Sequence, residues 1–204
     1  MRMNKKGQFF IIAAIVITVT LVMIRTLISS YSAAEITTHE ETKILGRQLE
    51  NIKGEYEYIV GTASMQNDVN SSLSQNLANF SSYIRDQLDS EILWVAIYFN
   101  SSNQNYSVIV GNFLQDNIEI NLTISNSTSH TEAISLGDKS IGSRSFNITG
   151  DVNLTLSYTL KDESREDIIS FTLSDNSTIG FFDISLLSDN LKVRTKDLYE
   201  RKIV

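Results

Sequence analysis

The side chains best suited to chemistry are few and widely separated. Histidine occurs only at His39 and His130, and cysteine not at all. That excludes thiolate metal sites, iron–sulfur clusters, a cysteine nucleophile and a disulfide scaffold. Two distant histidines do not make a multi-histidine metal centre. Serine and threonine are abundant, but no motif sets a base beside any of them, and no H-E-x-x-H, G-x-S-x-G, Walker or G-x-G-x-x-G pattern is present. The acidic groups Glu163/Glu166/Asp167 and Asp175/Asp183 come nearest to a calcium site, although oxygen-rich loops are ordinary on acidic surfaces. The expectation is a non-enzymatic chain without a cofactor or metal.

The recurrent chemical signal is the acceptor motif Asn-X-Ser/Thr. It occurs nine times, at Asn70, Asn79, Asn100, Asn105, Asn121, Asn126, Asn147, Asn153 and Asn176. With 17 Asn and 43 Ser plus Thr in 204 residues, chance gives about 3.6 such motifs. Asn121, Asn147 and Asn153 fall on the polar phase of alternating segments, where an attached sugar would face solvent. These nine are the glycosylation candidates, with ordinary unmodified strand and loop residues as the alternative.

Charge and hydropathy indicate where the chain sits. Residues 1–28 contain Arg2, Lys5, Lys6 and Arg25 and no acid. The other 13 basic residues face all 24 acidic ones beyond that point, so the rest of the chain carries a net charge of −11. Such an acidic body argues against nucleic acid as a partner, because that binding neutralises phosphates. Gly7 to Ile24 holds no charge across 18 residues, roughly 27 Å of helix, near the thickness of a bilayer core. Basic residues before the span place the N-terminus in the cytoplasm and the bulk outside. Arg25 can snorkel to the far interface. Ser32-Ala33-Ala34 is an alternative secretory cleavage point, though it lies well beyond the apolar run.

The stretch Lys5-Lys6-Gly7-Gln8-Phe9-Phe10 resembles the class III signal peptide of archaeal type IV pilin-like proteins and archaellins. The resemblance covers about residues 4–24. It implies cleavage between Gly7 and Gln8 by a prepilin-type peptidase, with the apolar helix retained as anchor and assembly element. It also implies self-association or association with other pilin-like subunits. One departure stands out. The fifth mature position, glutamate in many bacterial-type pilins, is Ile12.

The elements that follow are two helices and a run of strands. Leu45, Leu49, Ile52, Tyr56, Ile59 and Ala63 recur at spacings of three and four, a stripe on one helix face. The stripe is short, so packing on its own domain is favoured over an intermolecular coil. From Tyr31 to Met65 this helix would reach about 50 Å as a stalk. Val69, Leu73, Leu77, Phe80, Ile84 and Leu88 predict a second amphipathic helix, with Asn67 or Asp68 as its cap. From Ile92 the period changes to two. Ile92–Phe99 reads as a strand buried on both faces. Tyr106–Val110 follows as a further run, and alternation over 118–124, 146–148, 152–160, 169–173, 182–186 and 191–193, punctuated by turn clusters, predicts about eight antiparallel strands in a sandwich or barrel.

The expected fold class is α+β: an N-terminal transmembrane or stalk helix, a second amphipathic helix, then an antiparallel β-sandwich-like domain. The expected divisions are a basic leader at 1–7, a transmembrane or assembly helix at 8–28, extracytoplasmic helices at 29–90 and a β-rich head at 91–204. Archaellins resemble this layout. The function read from the sequence is a membrane-anchored cell-surface protein, structural or adhesive, with a filament subunit as one form. A solitary single-pass binding protein is the alternative. Zero proline, against a usual roughly 5%, suits long helices and uninterrupted strand ladders.

Overall fold

The computed structural model describes residues 20, 22–25, 41–100, 103–160, 166–174, 177–188 and 191–202. The chain divides into two compact units, Met1–Ile44 and Leu45–Val204. In the smaller unit, residues 20, 22–25 and 41–44 are helical. Among the described residues, no helix is long and apolar enough to cross a membrane. Most of the 8–28 segment, the Gly7/Gln8 processing site and His39 lie outside the described residues.

The larger unit begins with two helices. Helix α1 covers 45–63 and α2 covers Val69–Gln87. Asp68 caps α2, its Oδ1 accepting the Ser71 N–H at 3.0 Å, which satisfies one of the donors that a helix start leaves open. Leu45, Leu49, Ile52, Tyr56, Val60 and Ala63 form the buried face of α1, with Val60 taking the position read from sequence as Ile59. Ile59 packs at the margin, half-buried. The two helices are stitched by Tyr56 Oη and Ser81 Oγ, 2.7 Å apart, while Ser81 Oγ donates to the Leu77 carbonyl at 2.7 Å. Tyr56 also sits edge-on to Phe80 at 4.8 Å between ring centroids.

Nine strands follow: β1 (Ser90–Asn100), β2 (Asn105–Phe113), β3 (Ile118–Ser125), β4 (Ser129–Leu136), β5 (Ser140–Phe146), β6 (Val152–Tyr158), β7 (Asp167–Leu173), β8 (Ser177–Ser188) and β9 (Leu191–Lys202). They make a five-stranded sheet, β5-β2-β1-β8-β9, and a four-stranded sheet, β4-β3-β6-β7. Every pairing is antiparallel. The chain changes sheet at β2–β3, β4–β5, β5–β6 and β7–β8, so neither sheet can form alone. The α+β class with a β-sandwich-like body is therefore what the chain adopts.

The layers run helices, five-stranded sheet, four-stranded sheet. β1 shows why. Its side chains alternate between two cores: Leu93, Val95 and Ile97 face the opposing sheet, while Ile92, Trp94, Ala96 and Tyr98 face the helices. The four-stranded sheet is buried on one side only, so its strands alternate cleanly, with Ile118, Ile120, Leu122 and Ile124 inward on β3. At one end, Asp138 anchors the β4–β5 turn. It accepts Arg85 Nη1 from α2 at 2.6 Å and the Gln115 N–H at 3.0 Å.

Close packing leaves no room for a side chain at Gly111. Gly111 lies opposite Trp94 in the β1–β2 register, and a Cβ there would sit 2.1–2.5 Å from three indole atoms. Gly54, on the exposed face of α1, meets nothing within 4 Å. The two glycines should therefore answer alanine oppositely. Gly111→Ala is expected to cost about 3 kcal/mol by overpacking. Gly54→Ala should add about 1 kcal/mol from helix propensity. Urea unfolding of the two variants checks both signs.

Candidate functional site

The densest polar site joins the two sheets. On the inward phase of β8, Ile179 and Phe181 enter the core, and the next inward residue is Asp183, 2% exposed. A buried carboxylate requires partners, since desolvation of a lone charge is prohibitive. Three elements supply them. Tyr158 on β6 donates its phenol to Asp183 Oδ2 at 2.7 Å. Arg194 on the neighbouring β9 donates Nε to Asp183 Oδ1 at 2.6 Å and also engages Oδ2 through Nη2. The same Nη2 reaches Asp167 Oδ2 on β7 at 3.0 Å. Lys196 then pairs with Asp167 and stands 5.9 Å from the Tyr158 ring centroid. Two carboxylates and two cations thus alternate across the gap between β8–β9 and β6–β7.

Burial pushes the Asp183 carboxyl up to about 6, against the Tyr158 hydrogen bond and the charges of Lys196 and Lys192. Burial also pushes the Tyr158 phenol upward, and the Asp183 and Asp167 charges add to it. A phenol so held is a hydrogen-bond donor, not a nucleophile, at neutral pH. Asp138 differs: Arg85 and the Gln115 N–H outweigh the upward push of burial and hold its carboxyl below the usual range.

The acidic residues read from sequence as calcium-site material fare as follows. Asp167 and Asp183 spend their charge on Arg194 and Lys196. Glu166 is exposed, and Glu163 and Asp175 lie outside the described residues. Among the described residues, no group of three or more His, Cys, Asp or Glu converges as a metal site. His130 is exposed on β4, with Thr128 Oγ1 3.5 Å from its Nε2.

The acceptor asparagines separate by environment. Asn70, Asn79, Asn121, Asn126, Asn147 and Asn153 are exposed, and Asn100 and Asn105 are half-buried in the β1–β2 hairpin. Asn105 Oδ1 is buried without a hydrogen-bond partner, and Asn100 Oδ1 accepts the Asn103 N–H at 3.3 Å. Asn126 spends its amide nitrogen on the Thr149 carbonyl at 3.4 Å. Asn176 lies outside the described residues. Clefts among the described residues include one of about 280 Å³ at the start of α2 beside Tyr98 and one of about 290 Å³ between α1 and β9 beside Tyr199 and Arg201.

Sequence reasoning missed the Asp183 network as a unit. Its signal was a charge inside the apolar run Phe181-Phe182-Asp183-Ile184, followed by the basic, alternating 192–196 segment. Comparison with known protein families, with curated proteins and with solved structures found no match to this chain.

Two outcomes follow from this geometry. Because the folded carboxyl of Asp183 titrates above its unfolded value of about 3.9, its stability contribution is present below that value and fades as pH rises through about 6. Urea midpoints should therefore fall between pH 4 and 7, and the fall should be shallower in Asp183→Asn. Arg194→Met leaves a buried carboxylate without its main cation and should cost about 3–5 kcal/mol at pH 7, measured by the same unfolding curve.

Proposed function

We propose that the chain is a membrane-anchored cell-surface protein with a pilin-like N-terminus, serving a structural or adhesive role as a filament subunit. The observation that carries this reading is the step in charge and hydropathy at the N-terminus. A basic leader, Arg2, Lys5 and Lys6, meets an uncharged Gly7–Ile24 segment, and the rest of the chain carries a net −11. In the proposal, residues 8–28 anchor the chain with its N-terminus inside, and the β-sandwich-like unit faces outward. A prepilin-type peptidase cuts between Gly7 and Gln8. The role is one of binding or assembly rather than catalysis.

Ile12 favours a second reading. Where bacterial-type pilins commonly place a glutamate used in subunit packing, this chain offers a methyl-rich side chain. On that reading the protein is a solitary single-pass binding protein.

N-terminal sequencing of the mature protein should give Gln8 as the first residue. A start at Glu35 overturns both membrane readings, and an intact Met1 supports the solitary anchor. Electron microscopy of cell-surface preparations should find the chain within filaments; its absence from every filament removes the polymer.

A further inference from the structure

The solvent face of the four-stranded sheet has an unusual composition. Strand registers place fourteen side chains on it, of which eleven are Ser, Thr or Asn and one, Glu119, is charged. The edge strand β9 shows what the same chain does elsewhere, with seven charged residues among twelve. At the centre of the face, Thr131, Thr123, Thr155 and Ser170 form one row across all four strands. Their hydroxyls pair at 2.9 Å between Thr123 and Thr131, and at 2.9 Å between Thr155 and Ser170.

This chemistry discriminates among partners. A phosphate backbone would call for cations, which the face lacks. An anionic bilayer would call for basic and apolar side chains together. A protein interface would call for an aromatic or aliphatic centre, and Ile168 and Ala133 are the face's only apolar residues. A neutral polyhydroxylated covering matches a surface of hydroxyls and amides, whose groups both donate and accept hydrogen bonds.

The face also holds the means of attaching one. In an extended strand, residues two apart point to the same side. Asn121 with Thr123, and Asn153 with Thr155, therefore present both the acceptor and the hydroxyl of an Asn-X-Thr motif on this face. Both asparagines are exposed, and they flank the threonine row from opposite sides on the adjacent central strands β3 and β6. Four residues along the strand separate them, roughly 13 Å. Asn153 is held through its oxygen, which accepts the Thr172 hydroxyl at 2.8 Å, whereas glycan attachment uses the nitrogen. Asn126 commits that nitrogen to a backbone carbonyl, and Asn105 is tucked into its hairpin.

We propose that this face is the carbohydrate-bearing face of the protein, with N-linked glycans on Asn121 and Asn153. The donor is an oligosaccharide activated as a phosphate ester of a lipid carrier. The side-chain nitrogen bonds to the anomeric carbon and the anomeric C–O bond breaks. The lipid phosphate leaves with the electron pair, and the amide proton passes to a base of the transferase. The proposal rests on the extracytoplasmic placement argued above.

Glycopeptide mass spectrometry of the full chain, isolated from its own membranes, tests it. The expected result is glycan on the Asn121 and Asn153 peptides, with those of Asn100, Asn105 and Asn126 bare. Asn121→Gln and Asn153→Gln should each lower the intact mass by one glycan. Modification at other sites with Asn121 and Asn153 bare overturns this inference and leaves the extracytoplasmic reading standing. A fully unmodified chain also overturns the inference. Protease accessibility on intact cells then judges the placement separately: a shielded β-sandwich unit would overturn that reading as well.

Discussion

The structure depends on one constraint: the β1–β8 pair must be apolar on both faces. These strands form the middle of a sheet with helices on one side and a second sheet on the other. Seven consecutive residues of β1, Ile92–Tyr98, are buried in consequence. The hydrophobic gain, about 25 cal/mol per Å² of apolar surface, is thus collected twice along a single backbone. Much else follows. The helices need only one apolar stripe each, because the sheet supplies the other wall. The four-stranded sheet needs only one apolar face and is free to be polar outside. Trp94 fits because its cross-strand neighbour on β2 is a glycine.

Asp183 is the buried charge in this largely apolar wall, and its geometry shows how that charge is tolerated. The carboxylate lies where the β8 wall meets the ends of β6 and β7, within reach of Tyr158 and of Arg194 on the next strand. Replacing such a network by apolar groups of like shape is often neutral or stabilising, so its presence is no sign of extra stability. What it enforces is relative position. Tyr158 and Asp167 belong to one sheet, Asp183 and Arg194 to the other. Sliding the sheets past each other by one residue would strand a charge in the core. The network therefore specifies the register between layers, which apolar contacts alone leave loose.

Much of this was legible in the sequence because period reports burial. β1, β3, β6 and β8 are strands with one or two continuous apolar phases, and both helices show a three-and-four stripe. The strand that pattern did not reveal is β4, while β5 showed only its last residue, Phe146, and β9 only its first residues. In Ser129–Leu136 only Ile134 and Leu136 are buried, since β4 is an edge and half its inward phase overhangs the core. β5 contributes Phe146 alone to the buried set. β9 is so charged that no local preference would make it a strand. It becomes one through its ladder to β8, a pairing that runs its full length. The Asp183 network was hidden for the same reason. Its five members span residues 158 to 196 and meet only after two sheets have formed, so no local spacing announces them.

The edges carry a consequence for assembly. An open strand edge invites another chain to continue the sheet, and inward-directed charge is a standard deterrent. β9 places Lys192, Arg194 and Lys196 on the phase facing the sandwich, each tied to an acid: Glu91, Asp183 and Asp167. At the other end of this sheet, β5 carries Arg144, paired at 3.0 Å with Glu132 of β4, the edge of the facing sheet. Adding a strand at either edge would disturb these pairs. Association by extending the five-stranded sheet is therefore opposed at both edges. On the proposed reading, the filament contact then belongs to residues 8–28, whose apolar run has no charge to deter it, and the sandwich serves as a unit displayed rather than a unit polymerised.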